Sequence, residues 1–231
     1  MKKYYGTPVC GGTADGAVYR YSRISGKPDT VTITDTSSEQ SRFQLAKYIA
    51  VKELSLLYEK AYAELDESAA MIFYIHQLML DDETFSESVC GKIEEKRINA
   101  ESAVYETCLD LSEVFKGLDD GYMRARRADV FDISERVIAI LQSASQPYPI
   151  LTEPAVVVAE ELSPSEILLP EKGMIKGLVL TKGAVDSHAS ILARKMKIPA
   201  VCRVDFGGEL PCDGERIVLD ADKGEVIIEQ E

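Results

Sequence analysis

No proline occurs between Pro28 and Pro147, whereas seven of the nine prolines stand in the last 85 residues. Proline removes a backbone donor and clashes with the preceding turn, so the long proline-free stretch is free to be helix. Within it, Phe43, Ala46, Ala50, Leu54, Leu57, Tyr58 and Ala61 recur mostly at three- and four-residue steps behind a start signal at Ser37, Ser38 and Glu39. This predicts an amphipathic helix of about six turns. Further helices are expected at about 67–80 and 83–97. The longest follows, through Val104, Cys108, Leu111, Phe115, Leu118, Tyr122 and Ala125 to Ile133, Val137 and Leu141, with kink points at Gly117 and Gly121.

The flanks read differently. Gly6, Gly11, Gly12 and Gly16 precede a short strand pattern at Ala17–Tyr21. Beyond a junction at Gln146–Pro147–Tyr148–Pro149 come short apolar runs at 155–159, 177–180, 200–202, 217–219 and 226–228, the last two joined by a hairpin turn at Asp222–Lys223–Gly224. Between the strands, Ser163 is placed to cap a short helix over Pro164–Leu168, and Ser187–Lys197 reads as a longer helix. The expected fold is therefore mixed α/β (α+β): a discontinuous α/β domain, 1–34 plus 147–231, with a helical subdomain, 35–146, inserted into it.

Net charge is −13, a field that repels phosphate backbones and anionic lipid and attracts basic proteins, so nucleic acid and membrane are not expected partners. The longest apolar stretch, Ala69–Ile75, is far shorter than a bilayer span. The first residues, from Met1 through Lys2 and Lys3 to Gly6, lack the apolar core of a signal peptide. The single asparagine, Asn99, is in no glycosylation sequon, and the cytoplasm is the default expectation. Cys10, Cys90, Cys108, Cys202 and Cys212 are odd in number and scattered, without a C-x-x-C pair, which argues for reduced packing thiols.

Scans for a P-loop, a dinucleotide-binding G-x-G-x-x-G, G-x-S-x-G, H-E-x-x-H and an EF-hand all fail. The chain has only two histidines, and one stands where a strand pattern runs into a glycine turn and a helix begins: Gly177-Leu-Val-Leu-Thr-Lys-Gly183-Ala-Val-Asp-Ser187-His188-Ala-Ser-Ile-Leu-Ala193-Arg194. At a helix start, free N–H groups and the positive end of the dipole stabilise a phosphoryl group on the ring and favour the neutral imidazole, whose lone pair is nucleophilic. The plain alternative is a structural histidine acting as a polar cap.

That stretch, continuing through Lys195-Met-Lys-Ile198-Pro199-Ala200-Val201, resembles the phosphohistidine motif of the phosphoenolpyruvate-utilising family, G-G-x-[ST]-x-H-x-[AS]-I-x-A-R. It departs at Ala184, where the motif has its second glycine, and at Asp186, where a threonine is usual. His76-Gln-Leu-Met-Leu-Asp-Asp82-Glu83 and Leu118–Ile133 resemble the helical subdomain of Enzyme I of the bacterial phosphotransferase system, and Gly6–Ala17 resembles that family's opening. The resemblance implies a swivelling phosphohistidine domain with an inserted helical bundle. It implies a phosphoryl group carried on Nε2 of His188, with the Ser163 hydroxyl bonding the imidazole and Arg194 facing phosphate. It further implies a docking face for HPr, the small histidine-containing carrier, at His76, Met79, Leu80, Asp82, Glu83 and Arg126.

From the residues alone, Ser163 reads first as an ordinary cap, while Arg194 and the acids are equally solvated surface, Met79 or Leu80 core, and Arg126 the partner of Asp129 or a neighbour in a helix-face ion pair. The resemblance stops where the family's amino-terminal half stops. The domain that binds phosphoenolpyruvate and magnesium is therefore expected outside this chain, which itself needs no cofactor and is expected to be monomeric. The rival expectations are a regulatory carrier-binding paralogue with little turnover, and the swivelling domain of a related dikinase-type enzyme.

Overall fold

The computed structural model describes residues 1–22, 26–116, 121–143, 150–208 and 210–229; the side chains of 115, 116 and 121–126 fall outside that description. The chain forms two compact units, one from Met1–Arg23 with Tyr148–Glu231 and the other from Ile24–Pro147.

The first unit is an eight-stranded mixed sheet. Its strands are β1 (Lys2–Tyr5), β2 (Thr7–Cys10), β3 (Thr13–Arg20), β4 (Ala155–Ala159), β5 (Ile175–Leu180), β6 (Ala200–Cys202), β7 (Arg216–Asp220) and β8 (Glu225–Glu229), in the spatial order β1-β8-β7-β3-β4-β5-β6-β2. Strands β3 to β6 run parallel to one another, and the remaining pairs are antiparallel. Only Gly6 separates β1 from β2, yet these strands lie at opposite ends of that order. The sheet must therefore curl until its ends meet. The passage is tight: a Cβ on Gly6 would meet Val204 Cγ2 at 2.5 Å and Cys202 O at 2.8 Å, which only glycine avoids. Val18, Val156, Val158, Val179, Val201, Ile217, Leu219, Val226 and Ile228 form the buried core of this unit. All five residues of β4 are buried, as a strand covered on both faces requires.

The expected strands at 155–159, 177–180, 200–202, 217–219 and 226–228 all lie within observed ones, and β7 and β8 pair as an antiparallel hairpin. Strands β1 and β2 were not foreseen. Each has four residues, and β2 is interrupted by a bulge between Pro8 and Cys10, too little for an alternating pattern to register.

The second unit is helical: α1 (Thr36–Glu64), α2 (Glu67–Asp81), α3 (Glu83–Lys96), α4 (Ala100–Lys116) and α5 (Gly121–Leu141). Asp35, Asp66 and Asp82 cap the first three, accepting from the amides of Ser38, Ala69 and Thr84 at 3.0, 2.9 and 2.7 Å. The α1 stripe is buried as its spacing requires, at Phe43, Ala46, Ala50, Leu54, Leu57 and Ala61. Its core continues through Phe73, Leu80, Ile93 and Ile133.

Two expectations need correction. The long helix from Val104 to Leu141 is two, α4 and α5, which pack along each other; Gly117 lies outside the described residues and Gly121 opens α5. Residues 26–34, expected with the sheet, belong with the helices. Ile33 N donates to Arg97 O at 2.9 Å, Asn99 N to Val31 O at 3.0 Å, and Val31 N to Asn99 Oδ1 at 3.0 Å, tying this lead-in to the turn between α3 and α4. The junction at Gln146–Pro149 lies outside the described residues.

All five cysteines are free thiols, and burial pushes the Cys108 thiol up to about 11, far from a reactive thiolate. Among the described residues no helix is long and apolar enough to cross a membrane.

Candidate functional site

Two short helices follow the parallel strands of the sheet unit: α6 (Pro164–Leu168) after β4 and α7 (His188–Lys195) after β5. Placing a helix after each strand end is what parallel connections impose, and the strand-to-helix turn is where such folds hold their chemistry. The turn into α7 starts as an extension of the ladder, with Thr181 N and Lys182 N donating to Ala159 O and Glu160 O at 3.0 and 2.9 Å. It then bends at Gly183, whose φ of +95° suits glycine alone.

Ser187 is the N-cap of α7, and His188 is its first residue, half-buried. The Ser187 hydroxyl accepts from Ser190 N at 3.2 Å and donates to Ser190 Oγ at 3.0 Å; Ser190 Oγ in turn donates to Ala184 O at 2.7 Å. Both serines are thus committed to shaping the helix start, leaving the imidazole as the group with nucleophilic chemistry there. Asp186, two residues before it, is exposed to solvent.

Arg194 is one turn and a half along α7. Its Nη1 donates to Val185 O at 2.8 Å and to Val9 O at 3.5 Å, so it ties the turn to β2. Its bonds are those of a backbone clamp. Ser163 caps α6 in a full capping box: its hydroxyl accepts from Glu166 N at 3.4 Å, and Glu166 Oε2 accepts from Ser163 N at 2.5 Å. Ser163 Oγ also lies 3.0 Å from Ser165 Oγ. Glu166 is buried, and its other oxygen accepts from the Tyr21 hydroxyl at 2.6 Å, fixing α6 to the end of β3. Helix α6 packs against α7. The Ser-x-x-Glu spacing of the box was legible in the sequence; the Tyr21 contact, 145 residues away, was not.

The expected docking residues divide. Leu80 is wholly buried in the helical core, so it is corrected from a surface contact to a packing residue. His76 is corrected likewise: it is 3% exposed, with Nε2 3.1 Å from Asp129 Oδ1. Asp129 therefore pairs with His76, and the side chain of Arg126, on α5, lies outside the described residues. Met79 is half-buried and Glu83 exposed. Asp82 is exposed but serves as the α3 cap, and its bonds to Thr84 hold its carboxyl below the usual range.

Two family models match the chain: "PEP-utilising enzyme, N-terminal" over residues 5–126 and "PEP-utilising enzyme, mobile domain" over residues 151–224. Among curated proteins, it is similar to the phosphoenolpyruvate-protein phosphotransferase of Lactococcus lactis subsp. lactis, 35% identical over 203 residues that cover 87% of this chain and 35% of that protein. The protein of the same name from Geobacillus stearothermophilus is 32% identical over 228 residues, covering 98% of this chain and 39% of the relative. The chain thus spans well under half the length of these relatives. Of solved structures, a solution structure of Enzyme I superposes with a TM-score of 0.78 at 27% identity, covering 99% of this chain and 93% of that one. The N-terminal domain of a nitrogen Enzyme 1 superposes at 0.68 with 23% identity, a likeness of fold.

Proposed function

The chain belongs to the phosphoenolpyruvate-utilising enzymes, and from that membership we propose that it is a cytoplasmic phosphoryl relay of the sugar phosphotransferase system, with His188 as the carrier. The observation that carries this reading is the placement of His188 at the first position of α7, behind a turn whose carbonyls are held by side chains of α7. In the relay the Nε2 lone pair attacks the phosphorus of a donor, the new N–P bond forms as the donor bond breaks, and Nδ1 keeps its proton. The reverse attack, by a histidine of HPr, discharges it. Transfer between two nitrogens of similar basicity needs little driving force and no metal, so the protein's task is alignment and exclusion of water. Phosphoenolpyruvate and magnesium act on this reading through a part of the relatives' length that the chain does not span.

The test is incubation with phosphorylated HPr followed by intact-mass spectrometry. One phosphoryl group is expected, acid-labile and base-stable, and phosphoenolpyruvate with magnesium alone is expected to give none. A chain that binds HPr yet gains no mass is a regulatory binding module instead.

Docking is expected at the exposed acids beside Met79. The variant Asp82→Asn with Glu83→Gln keeps a side-chain acceptor at the α3 cap while removing two charges. It should slow association with HPr several-fold at low salt, with the defect shrinking as salt screens the field. Met79→Ala should instead speed dissociation with little salt dependence, because it removes contact area. Unchanged association and dissociation rates by stopped flow in both variants would place the docking face elsewhere.

A further inference from the structure

Three consecutive carbonyls in the turn before His188 each accept from a side chain: Ala184 O from Ser190 Oγ at 2.7 Å, Val185 O from Arg194 Nη1 at 2.8 Å and Gly183 O from Arg203 Nε at 3.2 Å. The first two donors belong to α7 itself. Arg203 comes from elsewhere, as the residue following β6.

Its backbone is unusual. Four non-glycine residues among those described have positive φ: Arg97, Ser143, Lys197 and Arg203. The first three follow the ends of α3, α5 and α7, where a left-handed residue is the ordinary way to finish a helix. Arg203, at φ +59°, follows a strand, so no helix end accounts for it. Val204 N donates to Leu180 O at 3.0 Å, so the left-handed step returns the chain to β5. Glycine would make that step without crowding between Cβ and the carbonyl. What an arginine adds there is a side chain that spans 20 residues back to the Gly183 carbonyl.

In a trans peptide the carbonyl and the following N–H point in opposite directions. Holding the carbonyls of 183–185 therefore also fixes the amides of Ala184, Val185 and Asp186, the last three peptide groups before the Ser187 cap. We propose that Arg203 is a positioning residue for the phosphoryl site, keeping a strained backbone in order to lock the Gly183 peptide and thereby the approach to His188. The inference rests on His188 being the phosphoryl carrier.

The experiment compares wild type, Arg203→Gly and Arg203→Lys with phosphoramidate as donor, which labels histidine without a carrier protein, so a failure of the HPr reading does not remove the measurement. Arg203→Gly is expected to unfold at the same temperature as wild type or higher, since its strain is relieved. It is also expected to take up phosphoryl on His188 about tenfold more slowly, a size typical of small misplacements. Amide exchange at Ala184–Asp186 should be about tenfold faster in the unphosphorylated chain, as the loop opens more often. Arg203→Lys, which keeps a cationic donor, should recover most of the rate. A wild-type labelling rate in Arg203→Gly overturns the proposal, as does unchanged exchange in the loop. If wild type labels at a residue other than His188, the functional reading fails, and loop exchange alone shows whether Arg203 holds the turn.

Discussion

A His188→Gln chain is expected to gain no phosphoryl mass from phosphorylated HPr, a loss of at least about a thousandfold against wild type, because the substitution keeps a polar side chain at the helix start and removes the proposed nucleophilic nitrogen. The chain has one other histidine, so the control is direct. His76→Gln retains a group able to bond Asp129 and should still be labelled. Circular dichroism should be unchanged in both, since the α7 cap is made by Ser187 and Ser190 rather than by the imidazole. Persistent labelling of the His188 variant at its wild-type rate would put the phosphoryl group on another residue.

The second large effect is on stability. Arg42 on α1 donates to both oxygens of Glu39, at 2.6 and 3.1 Å, and to both oxygens of Glu101 on α4, at 2.6 and 2.9 Å; it also reaches Leu141 O, at the end of α5, at 3.1 Å. One guanidinium thus joins three helices. The two carboxylates are only 13% and 10% exposed, so Arg42→Met leaves a pair of like charges largely buried. Removing one partner of a buried pair costs about 3–5 kcal/mol, and since Arg42 itself is 40% exposed we expect about 2 kcal/mol after allowing for solvent screening.

The pH dependence carries the sign. Burial pushes the Glu101 carboxyl up, but the bonds from Arg42, its backbone and Asn99 outweigh it and hold the group below its ordinary value of 4.5. A depressed carboxyl contributes stability that is complete above the ordinary value and lost as pH falls through the folded one. In Arg42→Met the bonds from the guanidinium that oppose burial are lost, so the carboxyl rises and its penalty is relieved by acid. The gap between wild type and variant in urea unfolding should therefore be widest near neutral pH and close below about pH 4. A gap that is constant with pH would mean that Arg42 acts by packing alone.

How far such contacts can be read from a sequence depends on their range. Helix α6 was legible to the residue because Ser163, Pro164 and Glu166 are a local start signal, and α2 and α3 because each begins after an aspartate and repeats its apolar positions. The position of His188 at a helix start was legible because the stretch around it is a continuous word. Arg203, Tyr21 and Arg42 were not, because what each does is set by a partner 20, 145 or 59 residues away, and nothing local marks the choice. Leu80 and His76 were misplaced for a related reason. A motif fixes which residues sit together on a helix, but only packing decides which of them face the core.

The strand order also sets an order of assembly. Lys2 pairs with Ile228, and β8 lies between β1 and β7, so β1 meets its partner only after every other strand of this unit has been made. Such pairings carry a high contact order, and they form late. The helical unit is continuous in sequence and makes its core from neighbours, so it can finish while the sheet still waits. During synthesis β1, β2 and β3 must stay unpaired through the whole of the helical unit's emergence, a window in which a chaperone has more to protect than in the finished molecule.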